Sequence, residues 1–109
     1  MATTTFTSYM NKNVGTAAAT VVTAAAGAQT NIIGMTCANI SNVAVTVSVY
    51  ITRSAVDYYI VKDATVPAGG ALVPVGGDQK MVLNASDALK VVASAANAVD
   101  VITSALVVT

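Results

Sequence analysis

The sequence predicts an all-β fold: a single antiparallel β-sandwich of about eight short strands, jelly-roll-like or immunoglobulin-like. Three observations predict it. The apolar content is wrong for helix, with 19 Val and 14 Thr among 109 residues against 4 Leu, 1 Phe and no Trp, and β-branched side chains favour extended backbone. Residues that coat helix surfaces are scarce: charged residues make up 9%, and all five acids are Asp, where a soluble domain usually carries about 25% charge. Short apolar runs also alternate with Gly, Pro, Asn and Ser breaks at the regular spacing of sandwiches and small barrels. Zero net charge with 55% hydrophobic residues argues against disorder. The length gives one domain, read as an N-terminal arm over residues 1–13 and a sandwich over residues 14–109.

Each element follows from local pattern. Residues 1–13 are polar, with Phe6, Tyr9 and Met10 as isolated bulky groups. They read as an arm that docks on a neighbour, with a short edge strand or a disordered end as the blander reading. Residues 14–26 are ambiguous. Ala runs favour helix, while Thr20, Val21, Val22 and Thr23 favour strand; strand is preferred, with a turn over 24–28. Residues 29–40 form a strand that is apolar on both faces, followed by a polar break at Asn39 to Asn42.

Residues 43–52 give the clearest signal. Val43, Val45, Val47, Val49 and Ile51 share one face, and Ala44, Thr46, Ser48, Tyr50 and Thr52 the other. Ten residues of period-two alternation mark a half-buried antiparallel strand, and its branched face is the best core candidate. The short link Arg53-Ser54-Ala55 implies a hairpin into residues 56–62. There Tyr58 and Ile60 fall on one face and Tyr59 and Val61 on the other. One tyrosine is expected in the core, the other outward as an interface anchor or sugar-stacking platform.

Pro67-Ala68-Gly69-Gly70 is a turn. Pro74 makes residues 71–75 a strand at an edge or a strand start, because proline donates nothing to a ladder. Gly76-Gly77-Asp78 reads as a turn, residues 80–83 as a strand and 84–86 as a turn. Residues 88–94 and 99–108 read as a closing hairpin across 95–98. The last strand carries Val99, Val101 and Val107 on one face and Ile102, Leu106 and Val108 on the other. Strands apolar on both faces suggest contact with other subunits. The candidate interface is therefore Phe6, Tyr9, Met10, Tyr58, Tyr59, Ile102 and Leu106.

Obvious chemistry is missing. No His and a single Cys exclude ordinary zinc sites, Ser-His and Cys-His pairs and an internal disulfide. Five scattered basic residues make no nucleic-acid footprint. Asp57, Asp63, Asp78, Asp87 and Asp100 are too dispersed for calcium. Gly76-Gly77-Asp78 lacks the lysine and helix of a phosphate loop, and Lys62 has no oxyanion hole or elbow to make a Ser-Lys pair work. Asn39-Ile40-Ser41 and Asn84-Ala85-Ser86 match the glycosylation pattern without a secretory context. The uncharged stretch between Lys12 and Arg53 is broken by polar residues too often for a spanning helix. Within it, Val14 to Ala28 only loosely imitates a signal peptide. No catalytic residue, cofactor or metal is expected, and no nucleic-acid, membrane or small-molecule partner.

Across Asn13 to Val108 the chain resembles small virion structural proteins of tailed phages, especially marine cyanophages. The resemblance lies in Asn-Val-Gly-Thr at Asn13 to Thr16, Ile-Gly-x-x-x-Ala-Asn at Ile33 to Asn39, and "VYITRSAVDYYIVK" at Val49 to Lys62. It continues through Pro-x-Gly-Gly at Pro67 to Gly70 and "GGDQKMVL" at Gly76 to Leu83. Asp87 to Ala93 is similar to a strand entry of such proteins, with Ser86 where they carry Gly. The resemblance implies a noncatalytic protein located in the virion, foremost a capsid decoration or cement subunit. Its partners would be copies of itself, the major capsid protein or other virion proteins. A neck or tail component, or a carbohydrate- or receptor-binding module, is the alternative.

Overall fold

The computed structural model describes residues 3–75 and 80–109. Their strands are β1 (Thr4–Val14), β2 (Ala19–Thr23), β3 (Gln29–Asn39), β4 (Val45–Arg53), β5 (Val56–Val66), β6 (Ala71–Val75), β7 (Met81–Leu83), β8 (Ala88–Ala93) and β9 (Val99–Val108). They form two antiparallel sheets. Sheet A runs β1-β9-β3-β6, with β7 pairing β3 on the same edge as β6, and sheet B runs β2-β8-β4-β5. With β6 and β7 counted as one interrupted strand, this is the two-sheet, eight-strand plan of a jelly roll.

The core lies where the inward rows of the two sheets meet. Sheet B contributes Val45, Val47, Val49, Leu89 and Val91, and sheet A contributes Ile32, Met35, Cys37, Val99 and Val101, all buried. Each such aliphatic side chain contributes about 1.5–3 kcal/mol when fully buried. Asn39 ties the sheets together at one end. Its Nδ2 is shared among the carbonyls of Val43 (2.8 Å), Val66 (3.1 Å) and Pro67 (3.2 Å), and its Oδ1 accepts from Ser41 N–H (2.9 Å) and Oγ (2.7 Å). At the other end Arg53 Nε donates to Asp87 Oδ1 (2.9 Å), and a second guanidinium nitrogen reaches Oδ2. Tight turns complete the strands. Ser54 and Ala55 both have positive φ (53° and 63°), the signature of a type I′ hairpin. Gly69 (φ 73°) lets Gly70 N–H reach the Pro67 carbonyl at 2.9 Å.

Several expectations need correction. The stretch read as an arm is edge strand β1, paired with β9 from Thr4 to Val14. The ambiguous 14–26 region holds the short strand β2, and Val14 belongs to β1. Val43 is 60% exposed and lies outside the core, because the Asn39–Ser41 turn captures its carbonyl before β4 begins. Strands β8 and β9 are not a hairpin. The 94–98 link crosses between sheets, held by Ala93 N–H on Gly15 O and Ala98 N–H on Val14 O, so the two strands face each other across the core. Neither Tyr58 nor Tyr59 is buried, because β5 is an edge strand and Tyr58 lies near its hairpin tip. The expected turn at Gly76-Gly77-Asp78 lies outside the described residues.

Candidate assembly face

Strand parity places the sequence-predicted residues. In sheet A the inward row of β1 is Thr5, Thr7, Tyr9 and Asn11, opposite Val107, Ala105, Thr103 and Val101. The outward row is Thr4, Phe6, Ser8 and Met10, opposite Val108, Leu106, Ser104 and Ile102. Four of the seven candidates, Phe6, Met10, Ile102 and Leu106, therefore share the outer face of sheet A. Phe6 is 77% and Met10 73% exposed. Tyr9 instead packs against the core from inside.

The face has relief. Phe6 and Leu106 form one apolar row, continued by Asn31 of β3 and the exposed Val82 of β7. Met10 and Ile102 form a second, continued by Thr36. Between them lie only Ser8, Ser104 and Gly34. The result is a trough of about 370 Å³ bordered by Phe6, Ser8, Ile33 and Ser104. A register shift between Ile32 and Gly34 puts Ile33 at its rim. Among the described residues the charges beside this face are Lys12 and Asp100 at its far end, where they pair at 3.5 Å, and Lys80 just before β7.

The remaining candidates sit on sheet B. Strand β5 carries two register shifts against β4, and Asp63 takes a positive φ of 53°. Both shifts fall after Tyr59, so the two tyrosines keep opposite faces while Tyr59 and Val61 no longer share one. Tyr59 lies beside Tyr50 on the outer face, ring centroids 5.0 Å apart at 41°. Lys62 Nζ sits over the Tyr59 ring at 5.1 Å. Packed against Tyr50 and with an ammonium over its ring, Tyr59 has little free face for sugar stacking. Tyr58 pairs with Ile51 toward the hairpin tip, where the two residues and Arg53 line a hollow of about 200 Å³.

Titratable groups are spoken for locally. Thr52 Oγ1 donates to Asp57 (2.7 Å), and Asp63 N–H donates to Ser48 Oγ (2.9 Å). The Arg53 hydrogen bonds hold the Asp87 carboxyl below the ordinary carboxylate range, with Asn84 N–H adding to this while burial opposes it. Cys37 is wholly buried, and burial pushes its thiol up to about 12, a value that suppresses thiolate chemistry. Among the described residues no three potential ligands cluster to hold a metal. No helix of these residues is long and apolar enough to cross a membrane. Asn39, buried and fully bonded, cannot receive a glycan; Asn84 is exposed.

Fold and face together define an all-β jelly-roll domain with exposed apolar rows on the outer face of one sheet. No protein-family model matches the sequence, and neither does any curated protein. Among solved structures the chain superposes on a chain from Bacillus endospore appendages, described as a novel family of disulfide-linked pili. The TM-score is 0.54 at 13% identity, covering 99% of this chain and 88% of that one. It also superposes on a chain of the T13 viral particle of infectious bursal disease virus, with TM-score 0.54, 10% identity and coverage of 98% and 35%. A third match is the Gx strain of that virus, with TM-score 0.52, 12% identity and coverage of 99% and 33%. The chain thus spans about a third of the viral chains. At these identities the likeness is one of fold.

Proposed function

We propose that this chain is a noncatalytic structural subunit of a virion, foremost a decoration or cement subunit on the capsid of a tailed phage. One observation carries the reading: the outer face of sheet A presents two exposed apolar rows, Phe6 with Leu106 and Met10 with Ile102, divided by small residues and with little charge among the described residues. Four strands about 4.8 Å apart and some eight to nine residues long project roughly 500–600 Å². That is close to one side of a small specific interface, about 1,200 Å² in total. Exposed apolar side chains grouped on one face are often functional. Near-zero net charge lets many copies crowd together with little mutual repulsion. The fold is found in pili and in a viral particle, which agrees with the reading, as does the resemblance across Asn13 to Val108. The test is quantitative mass spectrometry of purified particles from phage encoding this chain. A high copy number that follows the shell symmetry is expected. A small fixed number would move the subunit to the neck or tail, and absence from particles would overturn the proposal.

A further inference from the structure

The sandwich has two long edge strands, and they are finished differently. β5 is broken by two register shifts, a left-handed Asp63, and the charges of Asp57, Lys62 and Asp63. Bulges and charges of this kind keep an edge from pairing with another chain. β1 has none of them over its first eight residues. Its register against β9 runs unbroken from Thr4 to Asn11, and the first irregularity falls between Asn11 and Val14. No charge and no proline interrupt Thr4 to Asn11. Its outer side pairs with no strand among the described residues. A flat, neutral edge of this length is a template for another strand.

The side chains along the edge fit one partner, a second copy of the same strand. Consider two β1 strands antiparallel about a twofold axis at Ser8. Ser8 then faces Ser8 of the second copy, and Phe6 and Met10 face each other twice. Thr7 faces Tyr9, and Thr5 faces Asn11. Every pair keeps outward residues with outward and inward with inward, as a continuous pleat requires. Two phenyl–thioether contacts form, a favourable pairing. A shift of two residues either way sets Phe6 or Met10 against Ser8 and loses both contacts. The troughs floored by Ser8 and Ser104 in each copy would also run into one another.

We propose that β1 pairs antiparallel with β1 of a second copy about a twofold axis at Ser8, joining two A sheets into one with a single apolar outer face. This rests on the assembly reading above and supplies its geometry. Seven residue pairs from Thr5 to Asn11 give a ladder of roughly seven hydrogen bonds, within the range of an ordinary protein interface, about ten with wide scatter.

The register can be read by charge exchange. Phe6→Lys with Met10→Lys places like charges opposite each other in both central pairs, whereas Phe6→Lys with Met10→Asp places opposite charges there. All these positions are exposed, so each variant keeps the fold, checked by its β-sheet circular dichroism. In sedimentation equilibrium at low salt the wild type should dimerise. The mixed-charge variant should dimerise at least tenfold more tightly than the like-charge one, and the gap should shrink with added salt. Ser8→Cys should form an intermolecular disulfide under mild oxidation, and Ser104→Cys should not; the sealed Cys37 does not interfere. Dimers in which both charge variants behave alike, or in which Ser104→Cys cross-links and Ser8→Cys does not, overturn edge pairing but leave self-assembly standing. A wild-type chain that stays monomeric at millimolar strength overturns the pairing outright, and particle composition then decides the functional reading separately.

Discussion

The two outer faces of the sandwich are built from the same kind of strand and finished in opposite ways. On sheet B, Ser48, Thr52, Asp57, Asp63, Lys62 and Lys90 cover the backbone with polar groups, and several bond one another. Tyr50, the one large ring there that is buried, is covered by Tyr59 and not by another subunit. On sheet A the outer face holds Phe6, Met10, Ile102 and Leu106, separated by Ser8, Ser104 and Gly34, and no side-chain hydrogen bond ties these small residues to one another among the described residues. Side chains that bond within their own sheet contribute to folding. Side chains that touch nothing contribute little to folding and remain free to bury against something else. The difference separates residues that hold the molecule together from residues available to hold molecules to each other.

That separation can be broken or sharpened by substitution. The largest effect comes from untying the sheets. Asn39→Ala removes one donor from the Val43, Val66 and Pro67 carbonyls, of which Val43 keeps Ser41 Oγ and Pro67 keeps Gly70 N–H, and takes the acceptor from Ser41 N–H; the loss should be about 2–3 kcal/mol in urea unfolding. Asp87→Asn acts at the opposite end and depends on pH. The folded-state pKa of Asp87 is lowered, so its stabilisation is present above the ordinary carboxylate range and lost as pH falls through it. Thermal melts should show the variant weaker than wild type at neutral pH, the two converging in strong acid. Equal melting at neutral pH would show that the Arg53 contact contributes nothing. On the sheet B face, Ser48→Ala removes the acceptor of Asp63 N–H; about 1 kcal/mol of stability should be lost, with association unchanged by light scattering. On the sheet A face, Ile102→Thr should leave unfolding within about 0.5 kcal/mol of wild type and weaken association instead. If Ile102→Thr unfolds the chain, or Ser48→Ala disperses the assembly, the contrast between the faces is wrong.

Much of this was legible in the sequence, for a physical reason. The Val-rich alternation of residues 45–49 and the turns at Ser54-Ala55 and Pro67–Gly70 are local signals, and they became the elements they predicted. What alternation reports is which side chains face inward. It does not say which sheet a strand joins, and so β8 and β9 looked like a hairpin while pairing with different neighbours. Strand β1 was hard to see because its inward row is Thr5, Thr7, Tyr9 and Asn11, with little apolar contrast. Backbone pairing with β9, not side-chain burial, is what makes it a strand. The tyrosines do alternate, Tyr59 beside Tyr50 and Tyr58 beside Ile51, but Tyr58 lies near the hairpin tip of an edge strand and so stays exposed; alternation gives the face of a side chain and not whether anything covers it. Phe6, Met10, Ile102 and Leu106 were each singled out as bulky or doubly apolar, but nothing in the sequence told that they lie side by side.

The neutrality of the sheet A face bears on the conditions under which it would hold. Among the described residues the charges beside it are few and peripheral, Lys12, Asp100 and Lys80, so adhesion through it should depend little on ionic strength and tighten with sulfate. Burial of apolar surface loses strength on cooling. A subunit held this way would be shed by chilling sooner than by a change of salinity.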